Sequence, residues 1–418
     1  MSVSSMNRRD TSLGLSLRGN ARRLRAVLAL ALLAPAIVAG KPCEPPTWPL
    51  WQTYAMRFVQ ADGRVLESSL ENNHSTSEGQ SYAMFFALIG NDQPRFDTLW
   101  RWTSANLAGA AIATHLPGWL WGQGTDGQWR LQDANSAADA DLWIAYALLE
   151  AARLWHRPDY HRDALQLMAT IEAQLIVKLP GLGPMVLPGP QGFILPDSLW
   201  RLNPSYLPLP LLRRLAKEAP DGPWQAIADN TATMIDQSSP KGFVPDWVGY
   251  QGTSYKGASA QSGVFVSDPV KGETGSYDAI RVYLWLGMSE ATEPLAASLL
   301  KRLDGMARST AATGAPPESV QAVHGSVQGQ SPFGFRAALI PYLQAKGQSE
   351  LADQQRRLVE RALQEALARP DATPGPPRYY DFMLSLFALG WADNHYRFRE
   401  DGTLKLSWET PCTRTTAR

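Results

Sequence analysis

Apolar residues along the chain follow two distinct helical patterns. Some helical segments are apolar on nearly all sides, namely 81–89, 142–155, 280–288 and 383–391. Others, such as 159–178 and 351–368, carry one apolar stripe opposite charged side chains. A helix that is apolar all round belongs in a protein interior, whereas a single stripe is typical of a helix that covers a core.

The two kinds of segment tend to follow one another along the chain. Twelve helical segments are predicted: 47–60, 79–89, 94–107, 138–156, 158–178, 204–217, 223–238, 277–288, 293–307, 333–346, 349–369 and 379–393. Their alternation indicates an inner ring of helices covered by an outer ring. We therefore predict an all-α fold, an α/α barrel of about twelve helices.

Four long connections separate these helices, and all are rich in proline, glycine and aromatic residues: 108–137, 180–203, 239–276 and 308–332. Connections of this length in a compact domain are usually functional or disordered, and their many tryptophans argue against disorder. We expect them to pack over one end of the barrel and to line a groove. Beyond the last helix, alternation around Asp401-Gly402 predicts a small C-terminal hairpin over 396–406.

Carboxylates stand at the entrances of three apolar helices. Glu78 precedes one, Asp139 and Asp141 begin another, and Asp278 precedes a third. Helix capping explains any single acidic residue at such a position. The recurrence of the arrangement favours a shared role, because neighbouring helices of equal orientation would bring the three carboxylates together.

The N-terminus has the features of a secretory signal peptide. Residues 1–40 hold six arginines and one acid, and Ala26–Val38 is apolar but too short to span a bilayer comfortably. We expect 1–40 to be a cleaved signal and 41–418 a single catalytic domain, periplasmic or secreted. A retained N-terminal anchor is the alternative, and the route of export, general or twin-arginine, stays open.

Charge and cysteine usage narrow the range of partners. Without residues 1–40 the chain keeps 33 basic and 38 acidic side chains, a net charge of −5, and it has no basic run. This composition argues against a nucleic-acid partner. The two cysteines, Cys43 and Cys412, lie near the two ends of the expected mature chain. Export permits a Cys43–Cys412 disulfide, and two free thiols are the alternative.

Carboxylates and aromatic rings are the chemistry that remains after other sites are excluded. The six histidines form no pair with metal-ligand spacing, so no metal or other cofactor is predicted. Fifteen tryptophans and thirteen tyrosines are present, and aromatic faces stack on sugar rings while carboxylates act on glycosidic bonds. Trp119 and Trp121, in a connection, are candidate sugar platforms, with core packing as the alternative.

Several separate motifs resemble glycoside hydrolase family 8. The stretch 137–155 resembles the signature of the family, from which it departs at Ala138, where the signature usually has serine or threonine. Thr76–Met84, Ser276–Tyr283 and Asn203–Pro208 match three further segments, and the likeness extends from about residue 48 to 408. Among members of this family, the chain resembles the periplasmic endoglucanases that are encoded with bacterial cellulose synthase.

This resemblance implies an (α/α)6 barrel that hydrolyses β-1,4-glucan with inversion and without a metal. It implies that Glu78 is the general acid, that Asp278 is the general base, and that Asp139 holds the sugar in a distorted form. It implies that Trp119, Tyr206 and Arg281 contact the substrate or the attacking water. Asn203, in a matching segment, and the loop residue Trp121 complete the predicted substrate-binding set.

The expected partners are cellulose chains and the cellulose synthesis and export complex, and the expected oligomeric state is a monomer. Three alternatives stay open at this point. The first is a non-catalytic glucan-binding subunit of the export machinery. The second is a polysaccharide lyase on an α/α barrel. The third is a member of the same family that acts on xylan or chitosan.

Overall fold

The computed structural model describes residues 47–67, 73–253, 261–368 and 379–409. Within these ranges the chain forms thirteen α-helices: α1 Pro49–Phe58, α2 Ser77–Ile89, α3 Gln93–Leu107, α4 Ala138–Trp155, α5 Pro158–Leu175, α6 Leu209–Glu218, α7 Trp224–Ser238, α8 Ala279–Met288, α9 Pro294–Arg302, α10 Gly305–Thr313, α11 Phe333–Ala345, α12 Ser349–Leu367 and α13 Tyr379–Ala392. The expected signal peptide and both cysteines lie outside the described residues. None of the described helices is long and apolar enough to cross a membrane.

Six helices form an inner ring in the order α2, α4, α6, α8, α11 and α13. The ring closes where Phe387 of α13 meets Phe86 of α2, with ring centroids 4.6 Å apart. On the outside, α3, α5, α7 and α9 each pack mainly on one inner helix, α12 packs on α11 and α13, and α1 packs on α2 and α13. This arrangement confirms the predicted all-α, (α/α)6 barrel.

Aromatic side chains fill the centre of the ring. Phe387 lies 5.3 Å from Trp143 of α4 and 5.1 Å from Trp285 of α8, measured between ring centroids. Every one of these rings is buried. Because a buried Phe contributes roughly 1.5–3 kcal/mol relative to an exposed one, such contacts hold the inner helices, and whatever stands at their ends, in fixed positions.

The connections contain short strands that the sequence pattern did not predict: β1 Ser75–Thr76, β2 Gly118–Gln123, β3 Trp129–Ser136, β4 Ile176–Leu179, β5 Gly183–Val186, β6 Ile194–Leu195, β7 Leu199–Leu202, β8 Val248–Thr253, β9 Ser262–Ser267, β10 Thr274–Gly275, β11 Ser319–Gln321 and β12 Val327–Gln328. Two more strands, β13 Tyr396–Phe398 and β14 Leu404–Leu406, follow the last helix. They form antiparallel sheets in the orders β1-β2-β3, β4-β5, β6-β7-β8-β9, β10-β11-β12 and β13-β14. The last of these is the predicted C-terminal hairpin.

Two helix predictions need correction. The segment 293–307 is not one helix, because α9 ends at Arg302 and α10 begins at Gly305, which accounts for the thirteenth helix. The segment 204–217 begins as a 3₁₀ turn over Pro204–Tyr206, and α6 starts only at Leu209. Pro208 causes the second difference, since proline disfavours a helical conformation in the residue before it.

The C-terminal hairpin is fixed to the barrel by a buried carboxylate. Glu150 of α4 accepts hydrogen bonds from Arg214 Nε at 2.7 Å and from the Leu404 backbone N–H at 2.9 Å. The hairpin turn at Gly402 has φ +77°, and a Cβ there would lie 2.1 Å from the Pro210 carbonyl oxygen. Only glycine fits this close approach.

Candidate active site

The structure places the three carboxylates at the starts of inner helices. Glu78 and Asp139 are the second residues of α2 and α4, and Asp278 directly precedes α8. Arg281, one turn into α8, joins two of them: its Nη2 is 3.0 Å from Asp278 Oδ1 and 3.6 Å from Asp139 Oδ2. Glu78 interacts electrostatically with both Asp139 and Arg281. The four side chains therefore form one cluster.

The surroundings of Glu78 favour its protonated form. Burial raises the pKa of Glu78 well above its ordinary value, the charges of Asp139 and Glu67 raise it further, and Arg281 opposes them. The side chain keeps some contact with solvent. A carboxylic acid that holds its proton and still contacts solvent is suited to donate that proton to a leaving group.

Asp139 is almost completely buried, with 1% of its surface exposed. Burial raises its pKa to about 6, even though Arg281 and the Ala140 backbone N–H lower it. The Tyr82 hydroxyl donates to Asp139 Oδ2 at 3.5 Å. Asp141, two residues on, is also buried, and burial raises its pKa as well.

Asp278 is held from two sides by N–H donors. Trp247 Nε1 donates to Oδ2 at 3.1 Å, and Arg281 Nη2 donates to Oδ1 at 3.0 Å. About a quarter of the side chain is exposed, 28% of its surface. These two donors fix the orientation of a carboxylate that is open to solvent, which suits a base that activates a water molecule.

Tyr206 lies beside the cluster, whereas Asn203 is linked to the cluster through Ser205. The Tyr206 ring centroid is 5.9 Å from Arg281 Cζ. Burial and the nearby carboxylates raise the pKa of the Tyr206 hydroxyl. The buried Asn203 side chain accepts from the Ser205 hydroxyl at 2.7 Å, and the Ser205 Oγ accepts from Arg281 Nη2 at 2.9 Å. In this structure Asn203 therefore positions Arg281 through Ser205.

Trp119 and Trp121 both lie on β2, next to the entrance of α2. Thr76, which caps α2, pairs with Leu120, and Ser75 pairs with Trp121. Register shifts on both sides of Leu120 interrupt the β2–β3 ladder. Trp119 is 39% exposed, whereas Trp121 packs edge-on against Trp102 of α3, with centroids 5.7 Å apart. The exposed ring of Trp119 is thus the better suited to stack on a sugar.

Sequence reasoning missed four residues of the site: Glu67, Tyr82, Asp246 and Tyr380. The Tyr380 hydroxyl accepts from Arg281 Nη1 at 3.5 Å. Tyr82 follows Glu78 by one helical turn, and this spacing was a usable signal. Asp246 and Tyr380 come from distant parts of the chain, and Glu67 lies nine residues before its partner Thr76, outside the helix that carries Glu78. Among the described residues, no group of three or more His, Cys, Asp and Glu side chains is arranged to hold a metal ion.

Glu67 lies against the start of α2. The Thr76 hydroxyl donates to Glu67 Oε1 and also accepts from the Gly79 backbone N–H at 3.1 Å. A Cβ on residue 79 would lie 2.7 Å from the same Glu67 oxygen, so a glycine permits this approach. Burial raises the pKa of Glu67 to about 7. Its negative charge therefore acts on Glu78 at and above neutral pH.

We expect Glu67→Gln to move the alkaline limb of the kcat/KM pH profile to lower pH. A general acid must be protonated, a neighbouring negative charge raises its pKa, and removal of that charge lets the proton leave at lower pH. Glu365→Gln, on the exposed side of α12, is the control and should leave the limb in place. An unchanged limb in folded Glu67→Gln would contradict the electrostatic role.

Comparison with known proteins gives consistent matches over most of the chain. The family model described as "Glycosyl hydrolases family 8" matches residues 23–394. An endoglucanase of Pseudomonas fluorescens (strain SBW25) is 52% identical over 396 residues, 93% of this chain and 98% of that protein. An endoglucanase of Xanthomonas axonopodis pv. citri (strain 306) is 47% identical over 392 residues, 94% of this chain and 97% of that protein.

A solved structure agrees with these sequence matches. The crystal structure of endo-1,4-D-glucanase from Vibrio fischeri ES114 matches with a TM-score of 0.79 and 37% sequence identity. The match covers 87% of this chain and 100% of that one.

Proposed function

The chain belongs to glycosyl hydrolase family 8, and on that premise we propose that it is an endo-β-1,4-glucanase that hydrolyses cellulose chains with inversion. The observation that carries this proposal is the carboxylate cluster at the inner-helix entrances. The surroundings of Glu78 favour its protonated form, and the Asp278 carboxylate is held by Trp247 and Arg281. The names of the 52% and 47% identical relatives support the choice of glucan.

The proposed reaction is a single displacement at the anomeric carbon. Glu78 gives its proton to the glycosidic oxygen as the bond from C1 to that oxygen breaks. Asp278 takes a proton from a water molecule, whose oxygen forms the new bond to C1 on the opposite face of the ring. The products are one chain with a new reducing end and one with a new non-reducing end, and Glu78 and Asp278 then exchange protons with solvent.

Asp139 and Arg281 support this displacement electrostatically. An oxocarbenium-like transition state carries positive charge at the ring, and the buried Asp139 carboxylate is placed to stabilise it when ionised. Arg281 bridges Asp139 and Asp278, which limits the repulsion between them. The charges are fixed before the substrate binds, so little reorganisation is needed during the reaction.

We also propose a cellular role, namely trimming of cellulose chains during bacterial cellulose synthesis and export. The apolar segment Ala26–Val38 after an arginine-rich start supports entry into the export pathway. The proposed location is the periplasm or the medium, and the proposed state is a monomer. Deletion of residues 1–40, followed by fractionation of the cells, tests the export signal, since retention of the truncated chain in the cytoplasm is expected.

A product assay on four polysaccharides tests the activity. We expect rapid release of cello-oligosaccharides from carboxymethylcellulose and mixed-linkage β-glucan, with a steep early fall in viscosity because internal bonds are cut. Xylan and chitosan should give at least tenfold lower rates. Faster cleavage of xylan or chitosan than of glucan would show that the proposed substrate is wrong. Binding of glucan without cleavage would indicate a binding subunit, and an unsaturated product would indicate a lyase.

A further inference from the structure

The general base stands at a helix terminus without capping it. Asp278 is the residue directly before α8, and aspartate at this position commonly accepts a backbone N–H of the first turn. The Asp278 side chain makes no such bond, because its backbone is already helical, with φ −81° and ψ −51°. Both of its oxygens are instead used by Trp247 Nε1 and Arg281 Nη2. The first turn of α8 therefore requires another acceptor.

Asp246, 32 residues earlier, is that acceptor. Its Oδ1 accepts from three backbone N–H groups, those of Ser276 at 2.7 Å, Asp278 at 3.1 Å and Ala279 at 2.7 Å. Its Oδ2 accepts from the Ser276 hydroxyl at 2.7 Å. The Asp246 backbone N–H donates in turn to the Thr274 carbonyl oxygen at 2.8 Å, which fixes Asp246 beside β10.

The next residue along this segment completes the arrangement. Trp247 directly follows Asp246, and its indole N–H binds Asp278 Oδ2. Trp247 is itself held by the parallel ring of Phe193, whose centroid is 5.8 Å away, and by Arg201, whose Cζ lies 4.9 Å from the Trp247 ring. Two consecutive residues thus hold the backbone and the side chain of Asp278 separately.

We infer that Asp246 is a positioning residue for the reaction: it takes over the cap of α8 and so leaves the Asp278 carboxylate free to activate water. The inference rests on the proposed function for its catalytic meaning. The half-buried Asp246 carboxylate accepts four hydrogen bonds, three of them from backbone N–H groups. Their common target is the backbone on either side of the base.

Loss of the cap has a definite structural consequence. Without Asp246, the backbone N–H groups of Ser276, Asp278 and Ala279 lose their acceptor, and Asp278, whose own backbone is helical, cannot replace it as an N-cap in that conformation. The backbone that carries Asp278 would then shift, and its carboxylate would lose its alignment with Trp247 and Arg281. A displacement of about 1 Å at a reacting group costs roughly a hundredfold in rate.

The test compares Asp246→Ala, Asp246→Asn and a remote cap variant, Asp92→Ala. Asp92 Oδ1 accepts from the Arg95 backbone N–H at the start of the outer helix α3, so its loss removes a cap away from the site. For Asp246→Ala we expect kcat on β-glucan to fall about a hundredfold with KM within about threefold. Asp246→Asn keeps the Oδ1 acceptor and should recover most of kcat. Asp92→Ala should retain the wild-type kcat.

The second readout is independent of activity. A crystal structure of Asp246→Ala should show a shifted first turn of α8, with the Asp278 carboxylate displaced from Trp247 Nε1 and Arg281 Nη2. An Asp278 side chain still bound to Trp247 and Arg281, or an unchanged kcat, would overturn the inference. If the wild type itself fails to cleave β-glucan, the proposed function fails, while the position of Asp278 in the variant crystal still decides the capping role.

Asp246→Glu guards against a failure of Asp246→Ala to fold. The longer side chain keeps the charge and the acceptors but moves them by one methylene, so the cap is displaced and not deleted. We expect about a tenfold lower kcat with unchanged KM, between the values of the wild type and of Asp246→Ala. Wild-type kcat in Asp246→Glu would show that the geometry of this cap does not matter to the base.

Discussion

Glu78→Gln is expected to lower kcat on β-glucan by roughly 10²–10⁴-fold, the range that a general acid contributes. Glutamine keeps the size and the hydrogen-bonding atoms of the side chain but has no acidic proton to transfer. Binding of cellopentaose, measured by calorimetry, should stay within about threefold of the wild type. The mutation thus separates catalysis from binding, because both depend on the same groove but only one requires the proton.

A substrate with an activated leaving group makes this prediction sharper. In an aryl cellobioside of a strongly acidic phenol, the leaving group departs as the phenolate and needs no proton from the enzyme. Glu78→Gln should therefore retain much more of the wild-type activity on this substrate than on β-glucan. Glu365→Gln, at an exposed position on α12, controls for the change of charge. Substantial cleavage of β-glucan by folded Glu78→Gln would remove Glu78 from the role of acid.

The inner barrel could be predicted from the sequence because its signal is local. The predicted segments 79–89, 138–156, 277–288 and 379–393 lie within two residues of α2, α4, α8 and α13 at either end. Each is almost wholly apolar, and such a run has few alternatives to a buried helix. Once the starts of these helices are predicted, the carboxylates at those starts are identified too. The positions of Glu78, Asp139 and Asp278 could therefore be predicted from the sequence alone.

The residues that position these carboxylates leave no comparable signal. Asp246 reaches its partners across about 30 residues, and Tyr380 reaches Arg281 across 99. No periodicity relates such pairs, and only the packed barrel brings them together. The short strands of the connections were missed for a related reason, since their stability comes from pairing with other strands and not from their own residue pattern.

The two loop tryptophans show where local reasoning stops. Trp119 and Trp121 are two residues apart on β2, and a regular strand would place both on the same face. The irregular register around Leu120 breaks that rule. In the folded chain Trp121 packs on Trp102, whereas Trp119 is exposed. A bulge of this kind depends on the partner strand, which the sequence of β2 does not contain.

Asp278→Asn should abolish nearly all turnover on β-glucan, and it should do so on the activated aryl cellobioside as well. The amide cannot take a proton from water, and in a single displacement the attacking water is needed whatever the leaving group is. This variant should therefore not be rescued by the substrate that rescues Glu78→Gln. Oligosaccharide binding should be kept, since Arg281 and Tyr206 remain in place.

The stereochemistry of the first product tests the same assignment in the wild type. A base that activates water leaves room for that water, so the acid and base carboxyl groups of inverting enzymes stand about 6.5–9.5 Å apart, against about 5–5.5 Å in retaining ones. Attack from the face opposite the leaving chain converts a β-linkage into an α-anomer. Proton NMR within the first minutes of β-glucan hydrolysis should show the α-anomeric signal before the β signal grows by mutarotation. An initial β-anomer would require a covalent intermediate, and Asp278 would then lose its role as the base.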